Sequence, residues 1–168
     1  DGDSIGGVIE VMTTGVQPGI GDPFFESMES ELSRMIFSVP ATKGIEFGAG
    51  FDIARMTGYE ANDEMYYDAD GKVKSYTNNN GGITGGITNG MPISFKVAIK
   101  PPASIEKKQK TVNLETKMND FLEVRGRHDP VIVPRAVVVI EAATAIVILD
   151  RLIESEKNKI KGISNKYL

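Results

Sequence analysis

The sequence contains no cysteine and a single histidine, His128, among its 168 residues. The lack of cysteine excludes disulfides, thiolate metal sites and cysteine nucleophiles. With one histidine, a metal site of several imidazoles is impossible, and a Ser-His-Asp triad would have to use His128. We predict no metal site. Proton chemistry in this chain therefore depends on His128, on carboxylates or on a bound cofactor.

Excess positive charge and long hydrophobic runs are also lacking. The formal net charge is −4, which gives no electrostatic footprint for nucleic acid or an anionic membrane. A few local Arg and Lys side chains would still suffice to bind a small anion. The longest apolar run, Val137–Leu149, contains Glu141 and is shorter than the ~20 residues that cross a bilayer. We therefore expect neither nucleic acid nor a membrane as a partner.

The composition and the hydrophobic pattern predict one globular domain over residues 1–168. Hydrophobic residues make up 40% and charged residues 25% of the chain. Ile5–Thr14 and the alternating segment Pro92–Lys100 predict strands, the second half-buried. Asp22 is the predicted N-cap of an amphipathic helix. An almost wholly apolar helix, buried on several sides, is predicted from Pro134 to about Lys159. This mixture predicts an α+β fold, a layered β-α-β sandwich of antiparallel sheets and helices.

Three further segments have weaker patterns. Lys43–Gly48 predicts a short strand. Thr57–Thr77 is polar and predicts an exposed excursion with a hairpin turn at Asp70-Gly71. The carboxylates of Glu60–Asp70 lack the spacing of a calcium loop, so we assign them to solvent. Thr111–Glu123 has an ambiguous pattern that predicts no particular element.

The segment Asn78–Gly90 is unusually rich in glycine. It contains five glycines in thirteen residues, and Gly-Gly-Ile-Thr occurs at 81–84 and again at 85–88. Such glycines let backbone N–H groups approach an anion or a planar ring. The segment is neither a P-loop nor a dinucleotide-binding fingerprint, because the required spacings are absent. A tightly turned surface loop is the alternative interpretation.

Two other segments carry charge suited to an anionic ligand. Lys100 ends a predicted strand and precedes two prolines, which makes it a well-placed point charge or simply a solvated lysine. The segment Arg125–Pro130 combines cations, an imidazole and a carboxylate just before the long helix. Arg127 could bind a phosphate through paired N–H donors, and Asp129 could accept or relay a proton. The alternative is a helix-start loop in which Asp129 is a cap and Arg127 a surface ion-pair partner.

In order and spacing, these segments resemble the C-terminal part of chorismate synthase. The matching blocks are Asp3–Gly7, Thr14–Pro23, Pro40–Gly48, Asn78–Gly90, Lys100–Ile105 and Gly126–Ala142. The blocks include the family's Asn-x-x-Gly-Gly-Ile-x-Gly-Gly-Ile pattern and its Gly-Arg-His-Asp-Pro signature. Val131, Val138 and Pro102 depart from the usual Cys, Pro and Thr, but none of the three replaces a charged group.

The resemblance implies a lyase that converts 5-enolpyruvylshikimate 3-phosphate to chorismate and phosphate by 1,4-anti elimination, in the shikimate pathway. It implies reduced FMN, with no net redox change, and NADPH in members that reduce their own flavin. It implies a role for Asp129 in proton transfer at the flavin and for Arg127 with the substrate phosphate. The implied FMN-contacting positions are Pro40, Ala41, Gly85, Lys100, Pro101, Pro102, Ala103, Ser104 and Arg127. A cytoplasmic homotetramer is the implied state of the full-length enzyme.

The family's N-terminal part, with two active-site histidines and most of the substrate-binding arginines, has no counterpart here. Because such a site needs donors from both parts, we expect the isolated chain to be inactive. The alternative is a non-catalytic module that binds a flavin or a phosphate. A third hypothesis is an assembly piece that associates through exposed sheet edges.

Overall fold

The core of the fold is a three-stranded antiparallel sheet, seen in a computed structural model that describes residues 1–164, with side chains through residue 157. The strands are β1 (Gly7–Thr13), β2 (Thr42–Phe47), β3 (Met65–Tyr67), β4 (Val73–Ser75), β5 (Ile83–Thr84), β6 (Ile87–Thr88), β7 (Ile93–Ile99), β8 (Gln109–Asn113) and β9 (Met118–Leu122). The helices are α1 (Met28–Ser38), α2 (Gly58–Ala61) and α3 (Val133–Ser164). The central sheet has the order β1-β7-β2, and both neighbours run antiparallel to β7.

Strand β7 organises the hydrophobic core. Its buried side chains are Ile93, Phe95, Val97 and Ile99, and the residues between them are half-buried. This alternation confirms the predicted half-buried strand, since successive side chains of a strand point to opposite faces. Helices α1 and α3 pack against each other, and they share one hydrophobic core with the buried face of β7.

Three two-stranded hairpins surround the central sheet. Strands β3 and β4 form the predicted hairpin, and its turn contains Gly71 with a positive φ of 74°. Strands β5 and β6 fall within the glycine-rich segment. The ambiguous segment Thr111–Glu123 corresponds largely to β8 and β9, which pair as an exposed hairpin. None of these three hairpins adds a strand to the central sheet.

Helix α1 begins later than the sequence predicted. Asp22 is not its N-cap; a 3-10 turn at Phe24–Glu26 intervenes, and the Oγ of Ser27 accepts a hydrogen bond from the N–H of Ser30 at 3.1 Å. The carbonyl of Gly86 accepts a further bond from the N–H of Met28 at 2.9 Å. A serine caps a helix as well as an aspartate does, and the turn of the β5–β6 hairpin supplies a second acceptor that local sequence does not reveal.

The prediction that α3 is buried on several sides was wrong. Its buried positions form one stripe: Ile140, Ala143, Thr144, Val147 and Ile148. On the opposite side, Val138 is 64% exposed and Leu149 is 59% exposed. Within the described residues, the helix contacts α1 and β1 on one side only. A single helical layer on a single sheet can bury only one face of each helix.

The fold class is α+β, as predicted. The described residues form one three-stranded sheet and three two-stranded sheets, and α1 and α3 share a core with the three-stranded one. No helix in the described part of the chain is both long and apolar enough to cross a membrane.

Candidate ligand site

A cavity of about 350 Å³ lies where β7 ends. We call it the Lys100 cavity. The residues that line it are Ala41, Lys100, Pro101, Pro102, Ser104, Arg127, His128, Asp129 and Ile132. Three separate segments of the chain therefore meet here: the turn before β2, the residues after β7 and the loop before α3.

The turn before β2 has an unusual backbone. Ala41 has a positive φ of 71°, which fits the third residue of a type II turn after Pro40 but is normally left to glycine. The carbonyl of Ala41 accepts a hydrogen bond from the N–H of Lys100 at 2.9 Å. A register shift between Thr42 and Gly44 then interrupts the pairing of β2 with β7. The strained turn and the bulge together bring the Ala41 backbone beside Lys100.

Two side-chain hydrogen bonds, one of them from a residue distant in the sequence, hold the segment after β7. The hydroxyl of Ser4 donates to the carbonyl of Pro102 at 2.6 Å. The side-chain amide of Gln109 donates to the carbonyl of Ala103 at 3.2 Å. Because the prolines restrict φ, these two contacts fix the path of the segment along the cavity.

The loop before α3 is fastened at both ends. A ring nitrogen of His128 lies 2.9 Å from the carbonyl of Val124, and Gly126 between them has a φ of 146°. At the other end, the N–H of Ile5 donates to the carbonyl of Pro130 at 2.8 Å. Asp129 also forms an ion pair with Arg135 in the first turn of α3. The loop therefore holds Arg127 and Asp129 at the same cavity.

The Lys100 cavity contains two cations without a carboxylate partner. Among the described side chains, neither the ammonium of Lys100 nor the guanidinium of Arg127 forms an ion pair, whereas the nearby Arg125 pairs with Glu123 at 3.2 Å. Two unpaired cations at one cavity attract an anion, and an arginine can bind phosphate oxygens with two N–H groups. Asp129 supplies a carboxyl group to the lining of the same cavity.

Gly85 does not line the Lys100 cavity. It lies in the two-residue turn between β5 and β6, and a Cβ placed there would have no contact within 4 Å among the described residues. Its neighbour Gly86 bonds to the first residue of α1, while Ala41 follows the last turn of that helix. The eleven residues of α1 separate the two ends by about 16 Å. The role implied for Gly85 stays a prediction.

The sequence did not predict the structural role of Asp63. The side chain was assigned to solvent, but the residue is only 9% exposed and accepts four hydrogen bonds. One carboxylate oxygen accepts from the Thr77 hydroxyl and the Asn79 N–H, both at 2.7 Å. The other accepts from the N–H and the side-chain amide of Asn80, at 3.0 and 2.8 Å. Asp63 therefore shapes the entry to the glycine-rich segment.

The electrostatics of Asp63 follow from these bonds. Burial opposes ionisation of the carboxyl group, but the hydrogen bonds from Asn80, Thr77 and Asn79 outweigh it and hold the pKa of Asp63 below its usual value. The signal available in the sequence was Asp63 followed by a run of three asparagines about fifteen residues later, and this signal gives no indication of burial.

Within the described residues, no group of three or more histidine, cysteine, aspartate or glutamate side chains is arranged to hold a metal ion. The structure defines an α+β protein with a ligand-sized cavity where three segments of the chain meet, and the charged residues that line it are Lys100, Arg127 and Asp129.

Comparisons with known proteins make this class more specific. A family model described as "Chorismate synthase" matches residues 1–153. The chorismate synthase of Methanothermobacter thermautotrophicus is 50% identical over 154 residues, which are 92% of this chain and 41% of that protein. The chorismate synthase of Methanocaldococcus jannaschii is 52% identical over 152 residues, covering 90% of this chain and 40% of that protein.

A solved structure is also similar. It is described as "Crystal Structure of Chorismate Synthase" and matches with a TM-score of 0.73 and 35% sequence identity, over 92% of this chain and 39% of that one. The chain therefore belongs to the chorismate synthase family, as the sequence blocks predicted. It spans about 40% of the length of the curated relatives it matches.

Proposed function

We propose that this chain supplies part of the active site of a lyase that converts 5-enolpyruvylshikimate 3-phosphate to chorismate and phosphate. The observation that carries the proposal is the convergence of Lys100, Arg127 and Asp129 on one cavity in a member of this family. Loss of a phosphate and a ring hydrogen requires cations for the leaving group and an acid–base group for the proton. The Lys100 cavity contains both.

The residues of the cavity also fit FMN. Lys100 and Arg127 suit an anionic group of the cofactor or of the substrate, and Pro101, Pro102 and Ala41 offer a partly non-polar wall for a planar ring. When bound, reduced FMN supplies electron-rich chemistry and is returned unchanged, because the elimination has no net redox change. Lys100 and Arg127 would hold anionic groups in the site, and the Asp129 carboxylate would accept or return the proton.

The remaining expectations belong to the whole enzyme. We infer that the full-length protein is a cytoplasmic homotetramer, and that NADPH acts with it only if it reduces its own flavin. The isolated chain should not turn over. It provides two cations and one acid, whereas a site preorganised for this elimination needs further donors around the substrate.

A second candidate function is a module that binds a flavin or a phosphate without catalysis. The observation that favours it is the pair of cations at the Lys100 cavity, Lys100 and Arg127, neither of which forms an ion pair among the described side chains. Such a module would bind FMN but leave 5-enolpyruvylshikimate 3-phosphate unchanged.

The two functions are separated by an anaerobic assay with reduced FMN and 5-enolpyruvylshikimate 3-phosphate. The full-length product of the encoding gene and this chain are assayed side by side, and flavin binding to each is followed by fluorescence. Chorismate from the long form alone would support the proposal. Flavin binding by both, with no chorismate from either, would overturn it in favour of the module.

A further inference from the structure

Asp129 stands between two cavities. On one side is the Lys100 cavity, and on the other is a cavity of about 300 Å³ that we call the Glu106 cavity. Ser104, His128 and Asp129 line both of them. The second cavity is acidic, because Asp3 and Glu106 also line it. The orientation of the Asp129 carboxylate therefore determines which cavity its oxygens face.

The backbone around Asp129 is fixed, but its side chain could still rotate. The bond between His128 and the Val124 carbonyl fixes the loop before Asp129, and the bond from Ile5 to the Pro130 carbonyl fixes it afterwards. Neither contact involves the carboxylate. These contacts leave the side-chain rotamer of Asp129 unspecified, and packing restricts it little because the side chain is 58% exposed.

Arg135 is the group that contacts this carboxylate. Its Nη2 donates to Oδ2 of Asp129, and Arg135 lines neither cavity. Among the described residues, Oδ1 of Asp129 has no hydrogen-bond partner. Oδ2 is thus bound by a residue that lies outside the two cavities, and Oδ1 is free to accept a proton.

The position of Arg135 suits this task. It lies in the first turn of α3, where its own N–H donates to the Ile132 carbonyl at 3.1 Å, so the arginine starts from a rigid element. Its side chain is 68% exposed, and exposed ion pairs contribute little to stability because solvent screens them. The geometric effect of the pair is therefore separable from its small effect on folding.

We propose that Arg135 is a positioning residue, which holds Oδ2 of Asp129 so that Oδ1 is presented to the reacting proton in the Lys100 cavity. This inference rests on the proposed function. A guanidinium is planar and forms directional bonds, whereas an ammonium supplies charge without that geometry. Arg135→Gln removes both the positive charge and the planar guanidinium, whereas Arg135→Lys retains the positive charge without the guanidinium geometry.

The test uses the full-length protein with Arg135→Gln, Arg135→Lys and the control Arg55→Gln. Arg55 is a suitable control because it also forms an exposed ion pair, with Asp52 at 3.6 Å, and lines neither cavity. Misplacement of a reacting group by about 1 Å can cost on the order of 100-fold in rate. We expect kcat for chorismate formation to fall roughly 10- to 100-fold in Arg135→Gln, with KM and FMN affinity within about twofold of wild type.

Two further readouts distinguish positioning from a structural effect. Arg135→Lys should recover part of kcat, and the melting temperatures of all variants should stay close to wild type. In protein labelled with ¹³C at the aspartate carboxyl groups, the Asp129 signal should move in Arg135→Gln and stay in place in Arg55→Gln. This spectrum needs neither flavin nor turnover.

The outcomes separate the inference from the function on which it rests. An inactive wild-type protein overturns the proposed function, and the positioning role of Arg135 with it. An active wild type with an equally active Arg135→Gln variant overturns the inference alone. A loss of kcat in Arg135→Gln accompanied by an equal loss of FMN affinity or a large drop in melting temperature also overturns it, because those changes indicate a binding or structural role.

Discussion

Replacing Asp63 by asparagine should destabilise the protein markedly. Each oxygen of the Asp63 carboxylate accepts two hydrogen bonds, one pair from Thr77 and Asn79 and the other from Asn80. The asparagine side chain can accept with its oxygen only, and its NH₂ group would face two donors. A buried donor without a partner costs about 1–3 kcal/mol. We therefore expect Asp63→Asn to lower the free energy of unfolding by about 2–4 kcal/mol.

The assay is thermal or urea unfolding followed by circular dichroism. For a chain of this size the loss corresponds to a melting temperature lower by roughly 5–15 °C. Asp70→Asn is the matched control, because Asp70 lies in the exposed turn between β3 and β4. A surface substitution of this kind should change stability by no more than about 0.5 kcal/mol.

The same variant has a predicted pH dependence. The folded-state pKa of Asp63 is lowered, so its contribution is present above the unfolded-state pKa of about 3.9 and is lost as the pH falls through the folded-state pKa. The difference in stability between wild type and Asp63→Asn should be full at pH 7 and should shrink below about pH 4. Equal stabilities at pH 7, or a difference that grows with acidity, would refute the reasoning.

Two other predictions concern the cavity and the glycine-rich segment. Arg127→Ala should weaken FMN binding to the full-length protein by roughly 10- to 100-fold in a fluorescence titration, because charged hydrogen bonds contribute about 1.5–3 kcal/mol; an unchanged affinity would remove Arg127 from the site. Gly86→Ala should lower the melting temperature more than Gly85→Ala. A Cβ on Gly86 would lie 2.6 Å from the Asp22 carbonyl oxygen, whereas one on Gly85 meets nothing within 4 Å. Equal effects would contradict this packing.

The elements that the sequence predicted well were those with a strong local pattern. In strand β7, large apolar residues alternate with smaller or polar ones, so only one face of the strand can pack in a hydrophobic core. Seven of the positions that the resemblance implied line the Lys100 cavity, although they lie on three segments far apart in the sequence: Ala41, Lys100, Pro101, Pro102, Ser104, Arg127 and Asp129. Pro40, Gly85 and Ala103 do not line it, and the ligand roles implied for all these residues stay predictions. Composition alone would have left Lys100 as an exposed lysine before two prolines.

The errors share a physical cause, since each depended on a contact distant in the sequence. Asp63 was placed in solvent because a run of acidic residues looks the same whether or not one of them is buried against asparagines. The start of α1 depends on the carbonyl of Gly86, which no local rule anticipates. The burial of α3 was overestimated because the sequence shows how hydrophobic a helix is but not how many other elements pack against it.

The most direct test of the account is anaerobic chorismate formation by the full-length protein carrying Asp129→Asn. The control is Asp120→Asn, an exposed aspartate in β9 that lines neither cavity. General acid–base catalysis contributes about 100- to 10,000-fold, so we expect Asp129→Asn to lose at least about 100-fold in kcat while the control retains wild-type activity. A wild-type rate in Asp129→Asn would contradict the assignment of the Lys100 cavity as the reaction site.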